Sequence, residues 1–175
     1  IMSKCYLENV ENIKDPKIAL LNIGKESNKG NELVRQVYPL LKEKFDNYIG
    51  NIEPRYILNG NMDILICDGF TGNIVLKLTE GMFNDIFDWL QKFKKDKNNA
   101  LIKDYFIKDM KNKFDYQQHG GTPILGIRKI IIKCHGSSTA DSITKSIKTA
   151  KIFYEKKIIN NIEQSILCQV ENVSD

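Results

Sequence analysis

No apolar run in the 175-residue sequence approaches the roughly 20 residues that span a bilayer, and the first residues lack the basic, apolar, small-residue succession of a signal peptide. This excludes a spanning helix, though not contact with a membrane surface. The four cysteines, Cys5, Cys67, Cys134 and Cys168, are widely spaced with no C-x-x-C pair. Neither a zinc ribbon nor a disulfide scaffold is therefore suggested, and a reducing cytoplasm fits best. The basic residues are almost all lysine, and the net charge of +4 is spread along the chain without an arginine cluster, an RNP-like motif or a zinc finger. Nucleic-acid binding is not indicated. Neither a Walker loop nor the G-x-G-x-x-G spacing of a dinucleotide site is present, and no internal repeat or low-complexity linker occurs. The abundance of Asn and Ile reflects an AT-rich codon bias and carries no functional reading.

What is present, 42% hydrophobic and 27% charged residues, is enough core former for one globular domain. The opening IMSKCYLENVENIKDP has the character of the end of a helix, so the chain is expected to begin inside a longer protein. KIALLNIG (Lys17 to Gly24) is a short apolar run closed by glycine, as in a strand buried on both faces of a parallel sheet. A helix is predicted over Glu32 to Lys44, with Leu33, Val37, Leu40 and Leu41 on its apolar stripe and Pro39 weakening or kinking it. A second strand is expected around Asn47 to Ile52, a helical turn near Pro54 to Leu58, and a third strand over Met62 to Phe70. This alternation predicts an open α/β sheet with ligands at the carboxyl ends of its strands.

A long helix is predicted from Gly72 to about Lys95, with Val75, Leu78, Met82, Ile86, Trp89 and Phe93 at three- and four-residue steps. A second amphipathic segment, Ala100 to Phe114, would complete a helical hairpin. Between Lys92 and Lys113 eight lysines stand against three aspartates, interleaved with Leu101, Ile102 and Phe106. Such a basic amphipathic segment suits the headgroup region of an anionic membrane; equally, its apolar stripe suits the protein body or a twin subunit. After the loop QHGGTPILGI, a strand over Lys129 to Cys134 and a helix from HGSSTAD onward are expected, with Asn160 to Val170 extending or following that helix.

Three junctions share one design: a strand, a Gly-containing turn, and the first turn of a helix, whose free N–H groups and dipole favour an anion. They are Asn22 to Glu32, Cys67 to Asn73 and Cys134 to Asp141, and together on one sheet edge they would surround a small anion. Each also has a plain reading. Ser138 and Thr139 are ordinary helix caps, with Asp141 completing a capping arrangement; Asn73 caps its own helix; Lys29 is a solvated loop lysine. Cys67 is either an acyl-accepting thiol or a small core hydrophobe. His135, at a strand exit beside Gly136, is placed for a general base or phosphate partner, and His119 suits a surface loop.

The ordered set LLNIG with KGNE, IGNIE, CDGFTGNIVLK with TEG, HGGTPILGI and IKCHGSS, from about Lys17 to Tyr154, resembles the carboxyl-terminal half of the phosphate acyltransferase (PlsX) family of bacterial phospholipid synthesis. The resemblance implies transfer of a fatty acyl group from an acyl carrier protein thioester to inorganic phosphate, giving an acyl phosphate. It implies a three-layer α/β/α sandwich with a mostly parallel sheet, similar to the isocitrate dehydrogenase and phosphotransacetylase fold, with a projecting hairpin at about residues 72–116. Residues 1–175 would then be the carboxyl-terminal part of a single catalytic domain without its amino-terminal half.

By the same resemblance, Lys29 and Asn73 are the catalytic residues, and Asn31, Asp68, Lys77, His135, Ser137 and Ser138 line or position phosphate. Leu101, Ile102 and Phe106 are candidates for membrane contact. No metal and no cofactor are implied; a homodimer, cytoplasmic and peripherally membrane-associated, is. Two rival readings are a phosphotransacetylase-like enzyme acting on acyl coenzyme A, and a noncatalytic module that docks to a membrane or a carrier protein.

Overall fold

Four consecutive apolar residues, Ile18 to Leu21, form strand β1 (Ile18–Leu21), buried along its whole length as a central strand must be. It lies between β2 (Tyr48–Ile52) and β3 (Ile64–Ile66), parallel to both, in the order β2-β1-β3. The structure is a computed structural model that describes residues 1–95, 109–110 and 120–171. Among these, the architecture is mixed α/β: a three-stranded parallel sheet, a two-stranded antiparallel sheet, and helices.

The described chain divides into two compact units. The first, Ile1–Gly72 with Glu155–Asp175, holds the parallel sheet. Helix α1 (Met2–Tyr6) continues as a wider π turn to Glu11, in keeping with the helix end expected there. It packs against α5 (Ile158–Glu171), with Cys5, Ile158 and Ile162 buried. Hydrogen bonds from Lys156 Nζ to the Asn9 carbonyl (2.7 Å) and from Asn161 Nδ2 to Asn9 Oδ1 (3.2 Å) fasten the pair.

Helix α2 (Glu32–Lys44) has the predicted bounds and runs through Pro39 without interruption. Its inward face differs from the expectation. Val34, Val37, Tyr38 and Leu41 are half-buried, whereas Leu33 and Leu40 stand exposed. The cause is geometric: the 34/37/38/41 spacing follows one helical stripe, and Tyr38 reaches Tyr48 of β2 edge-on at 5.8 Å between ring centres. Pairing of β1 with β2 shifts by one residue between Ile18↔Tyr48 and Leu20↔Asn51, a bulge accommodated by Gly50 at φ 96°. The bulge turns Asn51 toward the loop that follows β1, where its amide donates to the Glu26 carbonyl at 3.0 Å.

The second unit, Asn73–Tyr154, holds the rest of α3 (Gly69–Lys95), the hairpin of β4 (Thr122–Pro123) with β5 (Ile132–Lys133), and α4 (Ala140–Glu155) up to the unit boundary. The strand expected over Lys129 to Cys134 is thus shorter, and it pairs with its sequence neighbour. Ile124 N donates to Ile131 O at 2.9 Å, closing the hairpin locally, so β5 lies outside the parallel sheet. Helix α3 turns Phe83, Phe87 and Leu90 inward, while Leu78, Met82, Ile86 and Trp89 of the predicted stripe are exposed. The second arm of the expected hairpin, with Leu101, Ile102 and Phe106, and His119 lie outside the described residues. No helix among the described residues is long and apolar enough to cross a membrane.

Candidate active site

Because β1 and β3 are adjacent and parallel, the turns that leave them lie at the same edge of the sheet. The first turn is built around Asn22, the residue that ends the apolar run and is itself only 5% exposed. Its amide nitrogen donates to the Lys29 carbonyl (3.1 Å), and its amide oxygen accepts from the Ile23 N–H (2.8 Å). Lys29 N in turn donates to the Glu26 carbonyl at 3.2 Å. Gly30 follows at φ 91°, where a Cβ would collide with Asn22 Oδ1, so glycine alone fits. Arg35 Nη1 closes the turn from the helix side by donating to Gly30 O at 2.7 Å.

Within this frame the Lys29 side chain is exposed and its amine makes no ion pair among the described residues. Asn31 is differently employed: its side chain accepts from Val34 N at 2.9 Å, the N-cap of α2. Its amide oxygen is therefore committed to the helix.

At the second turn, Asp68 caps α3. Oδ1 accepts from Phe70 N (3.0 Å) and Thr71 N (2.9 Å), Oδ2 accepts from the Thr71 hydroxyl (2.6 Å), and the Asp68 carbonyl accepts from Gly72 N (2.9 Å). The Thr71 hydroxyl and N–H hold the carboxyl below its ordinary range, so it stays negative. Consequently the backbone donors of Phe70 and Thr71 that the turn was expected to offer an anion are engaged by a carboxylate. What the corner presents instead is side chains. Asn73 sits inside α3 beyond the capped first turn, which removes the capping role considered for it; Lys77 lies one turn further on the same face. Both are exposed, and the Asn73 side chain makes no hydrogen bond among the described residues.

Cys67 is exposed, not a core hydrophobe, because β3 is only three residues long and ends before it. Burial of its thiol group, and next the charge of Asp68, push its pKa up, away from the thiolate that nucleophilic attack needs. A Cβ on Gly72 would come within 3.0 Å of the sulfur, so Cys67 packs against the start of α3.

The third turn leaves the antiparallel hairpin. Ser137 N donates to His135 Nδ1 at 3.2 Å and Ser137 Oγ lies 2.7 Å from the same atom, so Nδ1 is an acceptor and the neutral ring carries its proton on Nε2. Ser138 N donates to the His135 carbonyl at 3.0 Å. The cap of α4 is Thr139, whose hydroxyl accepts from Ser142 N at 3.3 Å, while Asp141 pairs with Lys145 at 2.7 Å. Beneath this turn Cys134 Sγ donates to Ser146 Oγ (3.2 Å), and Ser146 donates to Ser142 O (2.9 Å). Gly121 lies so close to Ser146 and to the Lys133 carbonyl that a Cβ would approach each to 2.9 Å, which explains the paired glycines of HGGTP.

The predicted residues thus fall into three local groups: Lys29 with Asn31, and Asp68 at the neighbouring strand end, in the first unit; Asn73 with Lys77 on α3; His135 with Ser137 and Ser138 in one turn. Sequence reasoning overlooked Asn22, Glu26, Arg35 and Asn51, which hold the Lys29 turn. The only available signal was a polar residue closing an apolar strand run in LLNIG.

The family profile described as "Fatty acid synthesis protein" matches residues 1–161. The chain belongs to that family. It is similar to the phosphate acyltransferase of Clostridium botulinum (strain ATCC 19397 / Type A), with 47% identity over 177 residues covering 98% of this chain and 52% of that protein. Similar proteins of the same name occur in Caldicellulosiruptor bescii, at 46% identity covering 97% of this chain and 52% of that protein, and in Alkaliphilus oremlandii, at 43%, 95% and 51%. The chain spans about half the length of the curated relatives it matches.

Proposed function

We propose that this chain is the carboxyl-terminal part of a single catalytic domain in a phosphate acyltransferase, which moves a fatty acyl group from acyl carrier protein to inorganic phosphate. The observation that carries this reading is the Lys29 turn: an exposed lysine, with no ion pair among the described residues, on a hydrogen-bonded backbone at the carboxyl edge of a parallel sheet. Membership of the family and relatives named phosphate acyltransferase support it.

In the proposed reaction a phosphate oxygen attacks the thioester carbonyl carbon. The tetrahedral intermediate collapses with cleavage of the C–S bond, releasing acyl phosphate and the carrier thiolate, which takes a proton from water. Phosphate is itself the nucleophile, so the protein supplies position and charge. Lys29 neutralises phosphate and the charge growing on the carbonyl oxygen, and Asn73 donates hydrogen bonds. Lys77 adds positive charge on the same face of α3, and the His135 turn with Ser137 and Ser138 contributes donors to phosphate. Asn31 and Asp68 act as caps that set the turns.

The complete fold, on this reading, is the three-layer sandwich of the isocitrate dehydrogenase and phosphotransacetylase group. The exposed Leu78, Met82 and Trp89 on α3 support a hairpin that contacts a membrane surface or a twin subunit, with Leu101, Ile102 and Phe106 on its second arm.

The test is phosphate-dependent release of carrier thiol from a long-chain acyl carrier protein. It is run on this chain, alone and joined to an amino-terminal half, and on Lys29→Ala and Asn73→Ala. Release that both substitutions abolish is the expected result. Release that survives both, or its absence in the joined protein, overturns the reading. Preference for acyl coenzyme A would point to a phosphotransacetylase-like enzyme, and carrier or liposome binding without turnover to a docking module.

A further inference from the structure

We infer that Asn22 is the positioning residue of the phosphate site: its buried side-chain amide fixes the Lys29 backbone, and so sets where the Lys29 ammonium meets phosphate. The inference rests on the reading of Lys29 given above, and it concerns a residue whose side chain is buried beneath the turn.

The geometry has three parts. Asn22 is the last position held to the sheet, its own N–H donating to the Ile52 carbonyl at 2.9 Å, so its side chain starts from an anchored backbone. That side chain spends its oxygen on Ile23 N and its nitrogen on the Lys29 carbonyl, seven residues away, closing the turn as a ring across its neck. Gly30 leaves room for the same amide, since a Cβ there would collide with Asn22 Oδ1, and it does so at a φ that L side chains rarely adopt. Held at both its oxygen and its nitrogen, the amide ties the Lys29 carbonyl to the end of the sheet.

The lysine stem is guided as well. A Cβ on Gly24 would come within 3.1 Å of Lys29 Cγ and 3.7 Å of its Cβ, so the stem passes over Gly24, in the turn that follows β1. A flexible four-carbon side chain has about 2 kcal/mol of rotamer entropy to lose on binding an anion. Fixing its backbone and narrowing the path of its stem reduces the part of that loss left for the moment of phosphate binding. Glu26 and Asn51 complete the frame from β2, through the Asn51 amide on the Glu26 carbonyl.

The prediction separates positioning from general stability. Asn22→Ala frees the Lys29 carbonyl and should raise the KM for phosphate roughly tenfold, the size expected for a lost hydrogen bond. The KM for the acyl thioester should stay within about twofold, because in the ground state Lys29 meets phosphate and acts on the thioester oxygen only as charge grows there in the transition state. A loss of folded protein alone would instead lower the apparent kcat and leave both KM values unchanged.

Gly24→Ala is the second variant. It leaves Asn22 intact and asks the flexible end of Glu26 to move, yet it crowds the Lys29 stem, so it too should raise the phosphate KM. All variants are measured in the form of the enzyme that turns over in the thiol-release assay. If Lys29→Ala turns over as well as the parent, the reading of Lys29 fails. If Lys29→Ala is dead while a folded Asn22→Ala keeps the parental phosphate KM, the positioning inference fails and the function stands. Should Asn22→Ala not fold, an unchanged phosphate KM in Gly24→Ala decides against the inference in the same way.

Discussion

The Asp68 carboxylate and Thr71 are joined twice: Asp68 Oδ1 accepts from the Thr71 N–H at 2.9 Å and Asp68 Oδ2 accepts from its hydroxyl at 2.6 Å. This pair turns the start of α3 from a place that attracts anions into one already holding a negative charge. Phosphate at this corner would have to be met by cationic and amide side chains, and the exposed Asn73 and Lys77 follow on the same helix.

The same pair predicts a pH effect. Its hydrogen bonds lower the Asp68 pKa in the folded protein, so its stabilising contribution is present above the unfolded value of about 4. That contribution is lost as pH falls through the folded value. Asp68→Asn keeps an acceptor for the Phe70 and Thr71 N–H groups but does not titrate. Denaturant midpoints of the two proteins, followed downward from pH 6, should therefore converge below about pH 4. A gap that stays constant through that range would show that the Asp68–Thr71 pair is not formed in solution.

Asn31 offers a cleaner test of the other cap. Its side chain accepts from Val34 N at 2.9 Å, and Asn31→Ala should cost about 1 kcal/mol of stability. Asn31→Asp should recover most of it, since aspartate keeps the accepting oxygen and adds favourable charge at a helix start. Chemical denaturation of the three proteins distinguishes this from a direct role in phosphate binding: if Asn31→Asp restores stability but not phosphate affinity, the amide also meets phosphate.

The sequence displayed the local features of this fold more faithfully than their packing. β1 and α2 were legible because a buried apolar run and a helical apolar period are local signals. The face of α2 was not: Leu33 and Leu40 fit a helical period as well as Val34 and Tyr38 do, and only the position of β2 selects between them. The pairing of β5 with β4 was missed for a similar reason, since a β-branched run does not state its partner. The motif residues of the candidate site stood out through their glycines, whereas Asn22 and Arg35, which act through backbone carbonyls, carry no spacing that marks them.

Gly121 and Gly136 lie just before β4 and just after β5 and should respond differently to the same change. A Cβ on Gly121 would meet Ile132 Cγ2 at 2.5 Å, the Lys133 carbonyl at 2.9 Å and Ser146 Oγ at 2.9 Å. Backbone cannot move aside cheaply, so Gly121→Ala should destabilise by about 1–3 kcal/mol. An added methyl at Gly136 would find nothing within 4 Å, and its φ is not left-handed, so Gly136→Ala should leave the denaturation midpoint within error. Equal effects from the two would mean that the HGGTP loop does not rest on α4 as found.

Asn73→Ala gives the sharpest separation of function from stability. Asn73 lies within α3, exposed, past the first turn that Asp68 caps, with a side chain that bonds to nothing among the described residues. Alanine is the better helix former by a few tenths of a kcal/mol, so the variant should be at least as stable as the parent. If the amide donates to the developing oxyanion, kcat should nevertheless fall by about a hundredfold, as when one such donor is removed from an acyl-transfer site. A residue kept for structure would behave in reverse, losing stability with little change in turnover. Stable protein with parental kcat would remove Asn73 from the chemistry.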